Sequence, residues 1–116
     1  MTEQTPVDRD SLLERVDNDL ELLEELLEIF EEDSQQHIDT MRAALSSSDA
    51  DQLARSAHSL KGSSYNMSAV RLADISLELE KAGNEGSLDG LGDKVDELEA
   101  ELRRVIPALK EVLGQS

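Results

Sequence analysis

The stretch Leu91-Gly-Asp-Lys-Val95-Asp-Glu-Leu98-Glu-Ala-Glu-Leu102-Arg-Arg-Val105-Ile-Pro107-Ala-Leu109-Lys-Glu-Val112 places apolar residues at intervals of three and four. That spacing puts Leu91, Val95, Leu98, Leu102, Val105, Leu109 and Val112 on one side of a helix and the charges on the other. Ser87 is the expected start of this last helix. Pro107, which lacks an amide donor, is expected to bend it or end its regular part.

The same period continues toward the N-terminus. Leu72, Ile75 and Leu79 mark a preceding helix, capped by Ser68 and stopping near Gly83, where Asn84-Glu-Gly-Ser supplies turn chemistry. Before it, a helix from about Asp49 to Asn66 turns Leu53, Ala57, Leu60, Ser64 and Met67 inward. A longer helix, capped by Asp17 or Asn18, carries Leu20, Leu23, Leu26, Leu27, Phe30, Ile38, Met41 and Leu45. Its stripe weakens over the polar interval from Glu31 to His37, which predicts a bend or an exposed stretch there; His37 should border the inner face. Asp10 to Val16 forms a short first helix covering one end of the bundle. The fold class is therefore all-α: an antiparallel up-down four-helix bundle with a short additional N-terminal helix. Residues 1–6 are expected to be a flexible lead and residues 7–114 a single domain; the initial Met and the complete bundle favour a standalone protein.

The chain has 116 residues, 27 acidic and 11 basic side chains, a formal charge of −16, and no cysteine. Nineteen leucines supply a core without metal or disulfide staples. The acidic balance argues against nucleic-acid and anionic-membrane binding, which draw on clustered Lys and Arg. Phe30 and Tyr65, the sole aromatics, make no stacking platform for bases. The absence of a signal peptide pattern and of a long apolar run makes the cytoplasm the expected location.

The acids are unevenly placed. From Leu53 through Ala73 there is no Asp or Glu, whereas Arg55, His58, Lys61 and Arg71 fall inside that window. Helical spacing groups Ala54, Arg55, His58, Lys61, Gly62 and Tyr65 on one face. Small residues one turn to either side, Ala54 and Gly62, leave the imidazole approachable by a large partner. A glycine within a helix costs about 1 kcal/mol relative to alanine, so Gly62 points to a need for access or for close helix packing. A lone histidine is commonly a solvated or packing residue; the small flanks, the lysine one turn away and the missing acids single this one out.

The segment Ala57-His58-Ser59-Leu60-Lys61-Gly62-Ser63-Ser64 resembles the central His-x-Leu-Lys-Gly-Ser motif of histidine-containing phosphotransfer domains. The pattern from roughly Val7 to Leu113 is similar to the whole family domain. Members carry phosphoryl groups between receiver-domain aspartates in multistep two-component relays. The resemblance implies that His58 is phosphorylated, that Lys61 compensates phosphoryl charge and that Gly62 provides clearance. It also implies receiver domains of response regulators and a hybrid or sensor histidine kinase as partners, a monomer, and no cofactor of its own; magnesium would belong to the receiver. Two positions depart from the family pattern. A carboxamide is frequent 22 residues after the histidine, where this chain has Glu80, as the similar domains of chemotaxis kinases often do. Glycine is common at Ser68, a change expected to matter little because serine caps helices well.

An antiparallel hairpin turning near Met67 can bring Glu80 level with His58, since side chains lean toward the N-terminus of their helix. Glu80 would then accept the Nδ1 proton, orienting the ring and leaving Nε2 to attack an aspartyl phosphate. The alternative leaves Glu80 on a solvated face with Glu78 and Lys81. Docking is expected to use Arg55, Ser59, Gly62 and Ser63, with exposed apolar positions of the long helix beside them. There is no glycine-rich phosphate loop, so kinase activity is not expected. Two other readings are open: a noncatalytic adaptor or inhibitor that binds a receiver or kinase without being phosphorylated, and a metal-binding bundle, for which His37 and His58 show no Glu-x-x-His pattern.

Overall fold

The computed structural model describes residues 5–114. They form five helices: α1 (Arg9–Arg15), α2 (Leu20–Ser47), α3 (Ala50–Asn66), α4 (Val70–Asn84) and α5 (Leu91–Gly114). No strand occurs among the described residues. Helices α2 to α5 pack as an antiparallel ring in which α2 meets α3 and α5, and α4 meets the same two helices. Residues 1–4 of the expected lead lie outside the described residues; Val7 is already buried.

The apolar stripes make the core. Leu23, Ile38, Met41, Leu53, Leu60, Leu72, Leu79, Leu98 and Leu109 are fully buried, as expected for positions repeating at three and four. Short helix α1 covers the end of the bundle with Leu12 and Val16, and the Asp8 amide donates to the Ser68 carbonyl at 3.0 Å. Polar pairs bind the outer faces: Arg42 of α2 meets Asp96 and Glu99 of α5 at 3.0 and 2.9 Å, and Lys94 of α5 meets Glu78 of α4 at 2.8 Å.

Several local expectations are corrected. Helix α2 is capped by Asp19, not by Asp17 or Asn18, which take left-handed backbone angles before it. It runs unbroken through residues 31–37, because Ser34 is buried there and satisfies its hydroxyl on the Phe30 carbonyl. Ser68 does not cap α4. Its φ is +58°, a left-handed conformation that glycine adopts without strain and serine rarely does; the serine hydroxyl instead meets Ser11 of α1 at 3.1 Å. Helix α4 continues past Gly83 to Asn84, with the reversal at Gly86, φ +75°. Helix α5 begins at Leu91 rather than Ser87 and continues through Pro107 to Gly114. Pro107 sits on the exposed face, one turn after the exposed Arg103 whose carbonyl it leaves without an amide donor.

Candidate functional site

The site lies on the α3–α4 hairpin. Asp49 caps α3 by accepting the Gln52 amide, and the buried positions Leu53, Ala57, Leu60 and Ser64 fix the rotation of the helix. That rotation leaves the His58 side chain 66% exposed. Glu80, on α4, is turned toward α3 and is 16% exposed. Its Oε2 lies 2.7 Å from His58 Nδ1, and its Oε1 accepts from Lys61 Nζ at 2.7 Å. One carboxylate thus bridges an imidazole and an ammonium one turn apart.

The Lys61 hydrogen bond is the leading reason that the Glu80 carboxyl is held below the usual carboxylate range; partial burial opposes it, and the His58 hydrogen bond and the Lys61 charge add to the lowering. Glu80 is therefore ionised at neutral pH and can only accept. The proton between the two side chains belongs to His58 Nδ1, and in the neutral ring Nε2 carries the lone pair. Nε2 makes no hydrogen bond with a described residue.

Around His58 a shallow open depression is lined by Asp51, Ala54, Arg55, Ser59, Glu80 and Asn84. Arg55 is exposed and forms no ion pair with any described residue. Gly62, one turn beyond His58, is exposed, and a Cβ built on it would meet nothing within 4 Å, so it does not serve close helix packing. Ser63 turns its hydroxyl back onto the Ser59 carbonyl of its own helix, 3.1 Å away. On the α2 side, Gln36, His37 and Thr40 line a second groove with Gln52, Arg55, Ser56 and Ser59. The face beside the site is therefore polar. The large exposed apolar residues of α2, Leu22 and Ile29, lie in its N-terminal half and line neither groove.

The acid-free window of sequence does not map onto a single acid-free surface. Arg71 turns to the α4–α5 face and meets Glu97 and Glu101 at 3.5 and 3.4 Å, while Asp51 and Glu80 border His58. Ala54 is buried rather than open: a Cβ on Gly83 would lie 2.9 Å from the Ala54 Cβ. Nothing in the sequence marks Asp51, Gly83 or Asn84 as site residues, although the register that pairs His58 with Glu80 brings all three close to it. Among the described residues no group of three or more His, Asp or Glu side chains is placed to hold a metal ion, and no helix is long and apolar enough to cross a membrane.

Comparison with known proteins shows the family and the fold. The family model for the Hpt domain matches residues 25–108. The crystal structure of histidine-containing phosphotransfer protein B from Pseudomonas aeruginosa PAO1 is similar at 31% identity, with a TM-score of 0.84 over 98% of this chain and 99% of that one. The HPT domain of the Hpt sensor hybrid histidine kinase from Shewanella shares the fold at a TM-score of 0.78, with 23% identity and 97% of each chain covered. No curated protein matches in a sequence comparison. A helical bundle of this topology, presenting His58 in the family's motif, belongs to the histidine-containing phosphotransfer (Hpt) domain family of two-component phosphorelays.

Proposed function

We propose that this chain is a phosphocarrier in which His58 accepts a phosphoryl group from an aspartyl-phosphate receiver domain, or from a kinase, and passes it to the receiver of a response regulator. The observation that carries this reading is the exposed His58 ring, held at Nδ1 by Glu80 with Nε2 unengaged. In the forward step the Nε2 lone pair forms the P–N bond while the P–O bond to the receiver's aspartate breaks and its electrons return to the carboxylate. Nδ1 keeps its own proton throughout, donating it to Glu80 in a hydrogen bond. Lys61 spends one N–H on Glu80 and has two left for the oxygens of the transferred group. Arg55, Ser59, Gly62 and Ser63 form the docking face with the receiver, and magnesium belongs to the receiver's own acidic cluster. The carrier has no kinase activity of its own and acts as a cytoplasmic monomer.

Incubation with a phosphorylated receiver labels the wild-type protein with acid-labile phosphate, and His58→Gln stays unlabelled. Equal labelling of His58→Gln excludes His58 as the acceptor. Full binding of a phosphorylated receiver without any labelling of the wild type makes the chain a noncatalytic adaptor.

A further inference from the structure

We infer that Gly83 is a positioning residue for the site: its missing side chain sets the separation of α3 and α4 at which Glu80 bridges His58 and Lys61. The inference rests on the reading of His58 as the phosphoryl acceptor for its kinetic consequence only; its geometric content stands on the unphosphorylated protein.

Gly83 is buried in the last turn of α4, three residues after Glu80. A Cβ there would stand 2.9 Å from the Ala54 Cβ and 3.0 Å from both the Ala50 carbonyl oxygen and the Ala54 amide nitrogen. Two of those three atoms are backbone and cannot swing aside. Ala54 lies one turn before His58 on α3, so this tight contact of the hairpin is one turn from the pair it serves. The 2.9 Å contact is roughly 0.5 Å short of the 3.4 Å at which ordinary van der Waals contact begins. A methyl group at position 83 therefore wedges the helices apart by about that amount. Both Glu80 hydrogen bonds measure 2.7 Å. The same displacement takes them to about 3.2 Å, the outer edge of a good N–H···O bond. Gly62 supplies the internal contrast: it is a helical glycine of α3 with open space where its Cβ would be, so a methyl there moves nothing.

The test compares Gly83→Ala with wild type and with Gly62→Ala by nitrogen and carbon NMR of the unphosphorylated proteins, and Gly83→Ala with wild type alone by initial rates of phosphoryl uptake from a phosphorylated receiver. In Gly83→Ala the Glu80 carboxyl titrates closer to an ordinary glutamate, the His58 ring loses its preference for the Nδ1–H tautomer, and uptake slows by about three- to tenfold. Gly62→Ala keeps the wild-type Glu80 titration and tautomer. Leu79→Ala, which empties core volume on the same helix, lowers the melting temperature without moving either NMR signal. A folded Gly83→Ala with wild-type titration and tautomer overturns the inference. If Gly83→Ala does not fold, the Ala54→Gly/Gly83→Ala exchange, which removes the 2.9 Å clash and keeps the two backbone contacts, is read by the same signals; wild-type signals there overturn the inference as well. Shifted NMR signals in Gly83→Ala alongside a wild type that takes up no phosphate support the positioning role and overturn the phosphocarrier reading.

Discussion

Replacing Glu80 by glutamine leaves one acceptor where two are in use. The carboxylate gives one oxygen to His58 and the other to Lys61, each at 2.7 Å. The amide introduced by Glu80→Gln has one oxygen and one NH2, so it can accept from only one partner and turns a donor toward the other. The variant loses one charge-assisted hydrogen bond and the charge attraction of the other, at a site where Lys61 is 22% and Glu80 16% exposed. Solvent reaches the pair, so the loss lies between an exposed ion pair and a hydrogen bond to a charged group, about 1–2 kcal/mol. For a domain of this size that lowers the melting temperature by roughly 4 °C per kcal/mol.

The pH dependence of that loss identifies its origin. Glu80 is held below the usual carboxylate range, by Lys61 foremost, so its contribution is complete above the unfolded-state value and disappears as pH falls through the folded one. Urea unfolding of wild type and Glu80→Gln followed by circular dichroism, from pH about 7 down to about 3, is expected to show a gap that closes with falling pH. A gap that stays constant, or none at the neutral end of that range, refutes the claim that the bridging carboxylate is the source. Phosphoryl uptake by Glu80→Gln should persist, because the amide oxygen can still accept from Nδ1–H; complete loss would show that the reaction needs the carboxylate itself.

Two further outcomes follow from the same geometry. Lys61→Ala is expected to slow phosphoryl transfer about tenfold or more while keeping the helical circular dichroism of the wild type, and an unchanged transfer rate refutes the charge role of the lysine. Gly62→Leu is expected to fold at least as stably as wild type, since the added side chain meets open space and leucine favours helix by about 1 kcal/mol. It should nevertheless weaken receiver binding by about tenfold in titration calorimetry, and unchanged affinity removes Gly62 from the docking face.

The bundle is legible because leucines at three- and four-residue spacing leave little choice of which face is buried, and His58 is legible because its motif sits in a window without acids. Glu80 follows from hairpin register combined with the lean of side chains. What stays hidden has physical reasons. Ser34 and Ser76 are buried yet read as polar, because each hydroxyl donates to a carbonyl of its own helix and needs no other partner. Ser68 reads as a cap because composition does not reveal the sign of φ. Pro107 reads as a break because its cost depends on whether the carbonyl it strands faces water, which is a property of the assembled bundle. Gly83 reads as a stop signal, since a glycine that ends a helix and one that lets another helix approach look alike in sequence.

All three members of the bridged cluster come from one helical hairpin, Glu80 following His58 by 22 positions and Lys61 by 19. Closing so short a loop costs little chain entropy, so the cluster can assemble as early as the two helices meet, before α2 and α5 complete the ring. Division of labour along the chain follows. Residues 50–84 hold the chemistry, while α5 supplies apolar surface and the cations and carboxylates that clamp it to its neighbours, so its sequence can drift widely wherever the heptad-like spacing and the total buried volume persist. Selection on such a protein is expected to act on two different scales: residue by residue in the hairpin, and pattern by pattern in the helices that shelter it.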